Sequence, residues 1–217
     1  MTVLAFRSDR EVEEAIPRAV AHLKKGGLLA YPTETVYGLG SRAREEDVNA
    51  LAALKGRRKD KPFLLLISGR AMAEAFGLVF NQAAEALARA FWPGPLTLVL
   101  PGAEGKLPDS LRGPEGGIAV RWTSHPGIAK LVAQLGEPIT STSANRAGGP
   151  TAPGVEALTK LFADAVAEGT LLVLDGGVLG NVPPSTVVDC TRPVPKLVRE
   201  GAIPRSELHR VAGSLAP

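Results

Sequence analysis

The chain has 217 residues, 45% of them apolar, which suffices for a substantial core and excludes a disordered chain. Its net charge of +3 tolerates an anionic ligand without marking a DNA- or RNA-binding protein. A lone cysteine, Cys190, excludes an intrachain disulfide framework, Arg7, Asp9, Arg10 and Glu11 stand where a secretory signal would be apolar, and no apolar run reaches bilayer length, so a cytoplasmic location is expected.

The first helix is predicted over 12–24. Ser8 and Glu11 have capping-box spacing, and Pro17 is expected either to kink this helix or to begin it. An apolar strand is predicted at 28–31, followed by Tyr31-Pro-Thr-Glu-Thr-Val-Tyr-Gly-Leu-Gly40. Pro32 ends ladder donation and holds the chain extended. In extended chain Thr33, Thr35 and Tyr37 share one face, and Glu34 and Val36 the other. Two readings stand: a wall of hydroxyls suited to an amino acid or a sugar, or a β edge with satisfied threonines. Gly38-Leu-Gly40-Ser-Arg-Ala43 resembles a dinucleotide-binding turn, but six residues separate it from the strand it should follow directly.

A helix is predicted at 47–55, with Gly56 able to end it. Lys55-Gly-Arg-Arg-Lys-Asp-Lys61 carries five cations and one anion, squeezed before a strand at 63–67. Such a run is a solvated loop, or it leans over the sheet edge, where arginine forks grip phosphate. Helices follow at 70–76 and 82–90, then the rigid turn Trp92-Pro-Gly-Pro95 into a strand at 96–100. Residues 101–117 read as a long Gly- and Pro-rich loop. The strand at 118–122 points Ile118, Val120 and Trp122 one way and Ala119, Arg121 and Thr123 the other, making Arg121 either a surface residue or an anion clamp. A helix at 127–135 and a strand at 138–140 lead into Thr140-Ser-Thr-Ser-Ala-Asn145, where five of six side chains hydrogen-bond, more than a turn requires. Beyond lie a helix at 155–167, a strand at 171–174, a loop at 176–185, strands at 186–189 and 196–199, and a helix at 205–211. Ser185 and Arg199 pose the same choice as Arg121.

His22, His125 and His209 are scattered, so no protein-built metal site is expected. No Gly-x-Ser-x-Gly elbow and no Walker A sequence occurs. One α/β domain over 1–217 with a mixed sheet fits the alternation of elements.

Several pieces taken in order resemble the YrdC/TsaC family of threonylcarbamoyl-AMP synthases. They are Gly26-Gly-Leu-Leu-Ala-Tyr-Pro-Thr-Glu-Thr-Val-Tyr-Gly-Leu39, Lys55-x-Arg57, Trp92-Pro-Gly-Pro-Leu-Thr97, Ala119-Val-Arg121, Ser143-Ala-Asn145 and Ser185-Thr-Val-Val-Asp189. The resemblance implies an α/β (α+β) YrdC-like fold, a twisted mixed β-sheet flanked by helices with a basic central cleft. It implies conversion of L-threonine, bicarbonate and ATP to threonylcarbamoyl-AMP and pyrophosphate, for modification of adenosine 37 in tRNA. Carried over by position, Lys55 and Arg57 would be catalytic, with Lys55 between the two substrates. Threonine would lie near Thr35, Arg121, Ser141 and Ser185. ATP would lie near Arg57, Lys61, Ser143, Asn145, Thr151 and Arg199, with backbone at Gly117 approaching it. Mg²⁺ would come with ATP. Leu66 stands where some longer members place a histidine that touches threonine. The chain stops at Pro217, so it looks like the short form.

The expected course is formation of a threonine carbamate that attacks the α-phosphorus of ATP. Two unit charges 4 Å apart repel by about 4 kcal/mol at an effective dielectric near 20, and Lys55, Arg57, Arg121 and Mg²⁺ would offset this. The loops at 101–117 and 176–185 are candidate lids. Downstream tRNA threonylcarbamoyl-transfer proteins would be partners, direct tRNA contact is left open, and a membrane is not expected. Two other readings remain. One is a non-catalytic RNA-binding module, favoured by the basic run and disfavoured by an aromatic content of 5%. The other is a related carbamoyl-adenylate-forming enzyme, as in YrdC-like domains of hydrogenase-maturation proteins.

Overall fold

The computed structural model describes residues 2–56, 61–180 and 182–216. Ten strands form one sheet: β1 (Val3–Ala5), β2 (Leu28–Tyr31), β3 (Gly38–Gly40), β4 (Leu64–Leu66), β5 (Leu96–Leu100), β6 (Ile118–Arg121), β7 (Ile139–Ser143), β8 (Leu171–Asp175), β9 (Thr186–Asp189) and β10 (Lys196–Arg199). The order is β1-β8-β2-β3-β7-β4-β6-β5-β9-β10. Pairs β1/β8, β2/β8, β4/β6 and β5/β9 are parallel and the others antiparallel, so the sheet is mixed as expected.

Helices flank both faces: α1 (Asp9–Lys24), α2 (Glu45–Lys55), α3 (Arg70–Ala75), α4 (Gln82–Phe91), α5 (Pro126–Leu135), α6 (Val155–Leu161), α7 (Ala163–Ala167) and α8 (Arg205–Ala212). Their apolar stripes divide the core in two. Val12, Ile16, Leu23, Ile128 and Leu131 of α1 and α5 pack on Leu29, Tyr31, Leu172 and Leu174. Leu51, Leu87, Leu158 and Leu208, of α2, α4, α6 and α8, pack on the opposite face against Leu39, Leu65, Leu98 and Val120. Helices α1 and α5 cover only part of their face, packing over β1, β8 and β2 and reaching Ile139 and Leu66. The half floored by β6, β5, β9, β10 and the Leu64 end of β4 has no helix over it among the described residues, and this asymmetry creates the cleft. Among the described residues no helix is long and apolar enough to cross a membrane.

The capping box at Ser8 forms, with Glu11 Oε2 accepting from the Ser8 N–H at 2.8 Å. Pro17 does not begin α1, one of its two expected places, but sits inside it, the position at which a proline kinks a helix. It lies on the exposed side, as does Glu13, whose carbonyl it leaves without its intrahelical partner. Pro17→Ala restores that intrahelical bond and is expected to stabilise the protein by about 1–2 kcal/mol, read as a rise in Tm of roughly 2–8 °C.

The helix expected over 155–167 is two helices, broken at Phe162 (φ −121°, ψ 36°), whose ring enters the core. Strand β7 outruns its expected end at Thr140 because it is central: Ser141 pairs with Leu64 of β4 and Ser143 with Gly38 of β3. The three-residue strands β1 and β3 were not foreseen. In β3 the glycines answer to close packing, not to a phosphate turn. A Cβ at Gly40 would lie 2.2 Å from the Thr140 carbonyl oxygen, and one at Gly38 3.0 Å from the Tyr31 ring. Gly38-Leu-Gly40 is thus an antiparallel strand, and the dinucleotide resemblance is overturned.

Candidate active site

The uncovered half of the sheet floors a cleft of about 490 Å³, lined by residues from seven strands and the loops beside them. One end is rich in hydroxyls. Thr33 and Thr35 come from the β2–β3 connection, Ser141 from β7, Thr97 from β5, and Ser185 from just before β9. The β2–β3 connection is not the extended wall expected from alternation. Thr33 Oγ1 accepts from the backbone N–H groups of Thr35 (3.2 Å) and Val36 (3.1 Å), contacts Thr35 Oγ1 at 3.0 Å and donates to the Val36 carbonyl at 2.7 Å. This tight turn reverses the chain so that β3 pairs back on β2. It keeps Thr33 and Thr35 at the cleft but sends the Tyr37 hydroxyl away, donating to the Gly177 carbonyl at 2.7 Å.

Arg121 is buried at this end, 5% exposed. Its Nε donates to the Gly94 carbonyl at 3.1 Å, so the Trp-Pro-Gly-Pro turn is also a rest for the guanidinium. Gly94 must be a glycine, since a Cβ there would sit 2.5 Å from the Phe91 carbonyl oxygen. Arg121 Nη2 lies 2.8 Å from Glu34 Oε1, an ion pair, yet the angle is too poor for a hydrogen bond and that donor has no in-line acceptor. Glu34 is further held by the Thr123 hydroxyl and by the Ser124 N–H at 3.0 Å. Burial would push the Glu34 carboxyl upward. The Arg121 charge and the bonds from Thr123 and Ser124 outweigh it and hold the value at about 2. Across the cleft Thr97 and Ser185 join hydroxyls at 2.9 Å, and Arg199 Nη2 donates to the Ser185 carbonyl at 2.7 Å. Burial, then the positive charge of Arg121, draws the Arg199 guanidinium below its ordinary value.

Ser143, Thr151, Pro62 and Arg199 line the rest of the cleft. An adjoining hollow of about 560 Å³ shares Pro62 and Ala119 with it and is lined by Val99, Gly117, Val194 and Val198 among others. A Cβ on Gly117 would stand 2.5 Å from Thr191 Cγ2 and 2.7 Å from Val99 Cγ1, so only glycine fits.

Of the residues singled out from sequence, Thr35, Arg121, Ser141, Ser143, Thr151, Ser185 and Arg199 meet in this cleft, and Gly117 lies in the adjoining hollow. Lys61 is exposed next to Pro62. Arg57 lies outside the described residues. Lys55 is not in the lining: it is 4% exposed, and its ammonium donates to the Ser143 carbonyl (2.6 Å), the Asn145 carbonyl (3.1 Å) and Asn145 Oδ1 (2.5 Å). Asn145 likewise stands behind the lining, accepting from Ser143 Oγ at 2.7 Å and donating to the Gly149 carbonyl at 2.5 Å. In this geometry both residues brace the end of β7. Leu66 pairs in register with Arg121 but is 1% exposed in the core beneath α1 and α5, so it seals the cleft floor rather than lining it.

Glu34 and Thr97 were missed. Thr97 left a signal, a single hydroxyl in the otherwise apolar run Leu96–Leu100. Glu34 left none, because its partner is 87 positions away and only the sheet joins them. Among the described residues no three His, Cys, Asp or Glu side chains converge.

Comparison with known proteins adds an independent finding. Residues 21–201 match the Sua5/YciO/YrdC family, described as "Telomere recombination". The threonylcarbamoyl-AMP synthase of Pyrococcus abyssi is 35% identical over 216 residues, covering 99% of this chain and 62% of that protein. That of Bacillus subtilis is 33% identical over 201 residues, covering 92% and 57%. The chain therefore spans about three fifths of the length of these curated relatives. The crystal structure of P. abyssi Sua5 complexed with L-threonine superposes with a TM-score of 0.89 at 34% identity, over 99% of this chain and 62% of that one.

Proposed function

The chain belongs to the Sua5/YciO/YrdC family, and from that premise and the two-part cleft we propose that it is an L-threonylcarbamoyladenylate synthase. It would join L-threonine, bicarbonate and ATP into threonylcarbamoyl-AMP, releasing pyrophosphate, in the cytoplasm. The product would pass to tRNA threonylcarbamoyl-transfer proteins for modification of adenosine 37. The observation that carries the reading is a buried guanidinium facing a ring of hydroxyls, in one cleft with a second cation and a glycine-floored hollow.

In this reading Arg121 receives the α-carboxylate, and Thr35, Ser141 and Ser185 surround the amine and side-chain hydroxyl. Thr97 joins them through Ser185. Ser143, Thr151 and Arg199, with Lys61 and Arg57, take the triphosphate, and the hollow at Gly117 takes the base. Lys55 and Asn145 hold Ser143 in place. Bicarbonate gives up hydroxide to become CO₂, the neutral threonine amine adds to its carbon and loses an N–H proton, proton and hydroxide leave together as water, and a carbamate oxygen then attacks the α-phosphorus. The new P–O bond forms as the α–β bridge breaks, and pyrophosphate leaves with the electron pair. Among the described residues the lining of this cleft contributes no carboxylate; Mg²⁺ would come bound to the triphosphate as part of the substrate, where it would offset phosphate charge. Catalysis rests on positioning and fixed charge.

The test is pyrophosphate release with threonine or bicarbonate omitted in turn, using wild type and Arg57→Ala. Release must require both, and must fall in Arg57→Ala. Thr35→Val removes one neutral hydrogen-bonding group and is expected to raise the threonine KM about 3- to 10-fold, leaving the ATP KM within about twofold. Equal rises in both constants would overturn the placement of threonine.

A further inference from the structure

Glu34 lies behind Arg121, outside the cleft lining. Thr123, Ser124 and Arg121 fix its carboxylate from three sides, and Gly94 fixes the guanidinium from a fourth. The pair is held at both ends, buried on the Arg121 side with the Glu34 side chain 21% exposed, and of zero net charge, while Arg121 Nη2 has no hydrogen-bond acceptor in good geometry. The same cleft has Arg199 across Ser185. A lone buried arginine grips phosphate as readily as carboxylate, because both present paired oxygens. Separating the two requires something that works against the wrong ligand. Desolvation cost grows with the square of a ligand's charge, whereas attraction grows only linearly. A neutralised clamp therefore penalises a phosphate dianion more than a carboxylate.

Resting on the reading that Arg121 receives an amino-acid carboxylate, we infer that Glu34 is the specificity-determining positioning residue of the cleft. By cancelling the charge of Arg121 and fixing its plane, it keeps phosphate groups out of the amino-acid end, so that ATP binds in one direction only.

Inorganic phosphate is the probe. Titrated calorimetrically without threonine or ATP, it should bind Glu34→Gln at least about tenfold tighter than wild type, and the gain should vanish in Glu34→Gln/Arg121→Gln. During turnover, phosphate should compete with threonine in Glu34→Gln and not in wild type. Glu34→Asp keeps the charge but not the reach; it should raise the threonine KM while rejecting phosphate as wild type does. Equal phosphate affinity in wild type and Glu34→Gln overturns the inference. So does a gain that survives loss of Arg121, or competition with ATP instead of threonine. Should Glu34→Gln fail to fold, tighter phosphate binding by Glu34→Asp overturns it equally. The titration contains no threonine, so it reports on Glu34 alone; threonine-independent pyrophosphate release by wild type would count instead against the proposed function.

Discussion

Arg121→Ala is expected to lower threonine-dependent pyrophosphate release by about 10²- to 10³-fold, the equivalent of roughly 3–4 kcal/mol, within what truncating one partner of a buried charge pair costs. Loss should fall on the threonine KM before the ATP KM, because Arg199, proposed for the nucleotide end, is held independently by the Ser185 carbonyl. The same change strands Glu34 with its bonds to Thr123 and Ser124 but no counter-charge. This has a pH signature. In the wild type the Glu34 carboxyl sits at about 2, below its ordinary value of 4.5, so the folded state favours the ionised form. Such a group stabilises the fold above its unfolded value, by roughly 3 kcal/mol here, and that contribution is lost as pH falls from about 4.5 through 2. Without Arg121 most of that acid-side loss disappears. The stability difference between wild type and variant should be largest near pH 7 and narrow by pH 3, measured by denaturant unfolding at each pH. A constant difference across that range would mean that the pair is not the source.

Lys55→Met carries the second large effect. The ammonium is enclosed and satisfies three oxygens of Ser143 and Asn145, which a thioether cannot do. The Ser143 carbonyl keeps the Asn145 N–H and Asn145 Oδ1 keeps the Ser143 hydroxyl, so the Asn145 carbonyl is the acceptor stranded, at about 1–3 kcal/mol; with the loss of a hydrogen bond to a charged group, about 1.5–3 kcal/mol, a total near 3–6 kcal/mol and a fall in Tm of roughly 6–24 °C are expected. Ser143 and Asn145 would lose their brace, and ATP affinity should fall with them. Two measurements separate bracing from direct contact with substrate. If Lys55 only braces, the Tm and the ATP KM move together and saturating ATP recovers much of kcat. A large loss of kcat with the Tm unchanged would place the ammonium at the reacting atoms instead.

Much of the scaffold could be read in advance because local chemistry decides it. Strands Leu28–Tyr31, Leu96–Leu100, Thr186–Asp189 and Lys196–Arg199 begin and end where apolar runs meet glycine, proline or charge. Helix α2 ends at Gly56, whose φ of 65° places it in the left-handed region. What was misread or left open shares one cause. Residues 31–37 were read as extended from their alternation, but Thr33 bonds forward to Thr35 and Val36 and folds the segment into a turn. Pro17 left two readings open, a kink or a helix start, and its place inside α1 on the exposed side rules out the start. In each case a contact or an exposure decided what periodicity could not.

The polar groups of the cleft were legible as types: hydroxyls after two strands, an arginine among small neighbours, a serine before another strand. Their roles relative to one another were not. Sequence alone determined which elements form and which side chains are too polar for the core they enter, because hydrophobic spacing and turn chemistry act over a few residues. Only the tertiary structure decided that α1 and α5 leave half a sheet face bare, that Lys55 turns inward to the end of β7, and that Glu34 meets Arg121. Those outcomes depend on strand order and register, which bring together residues tens of positions apart and which no local pattern encodes.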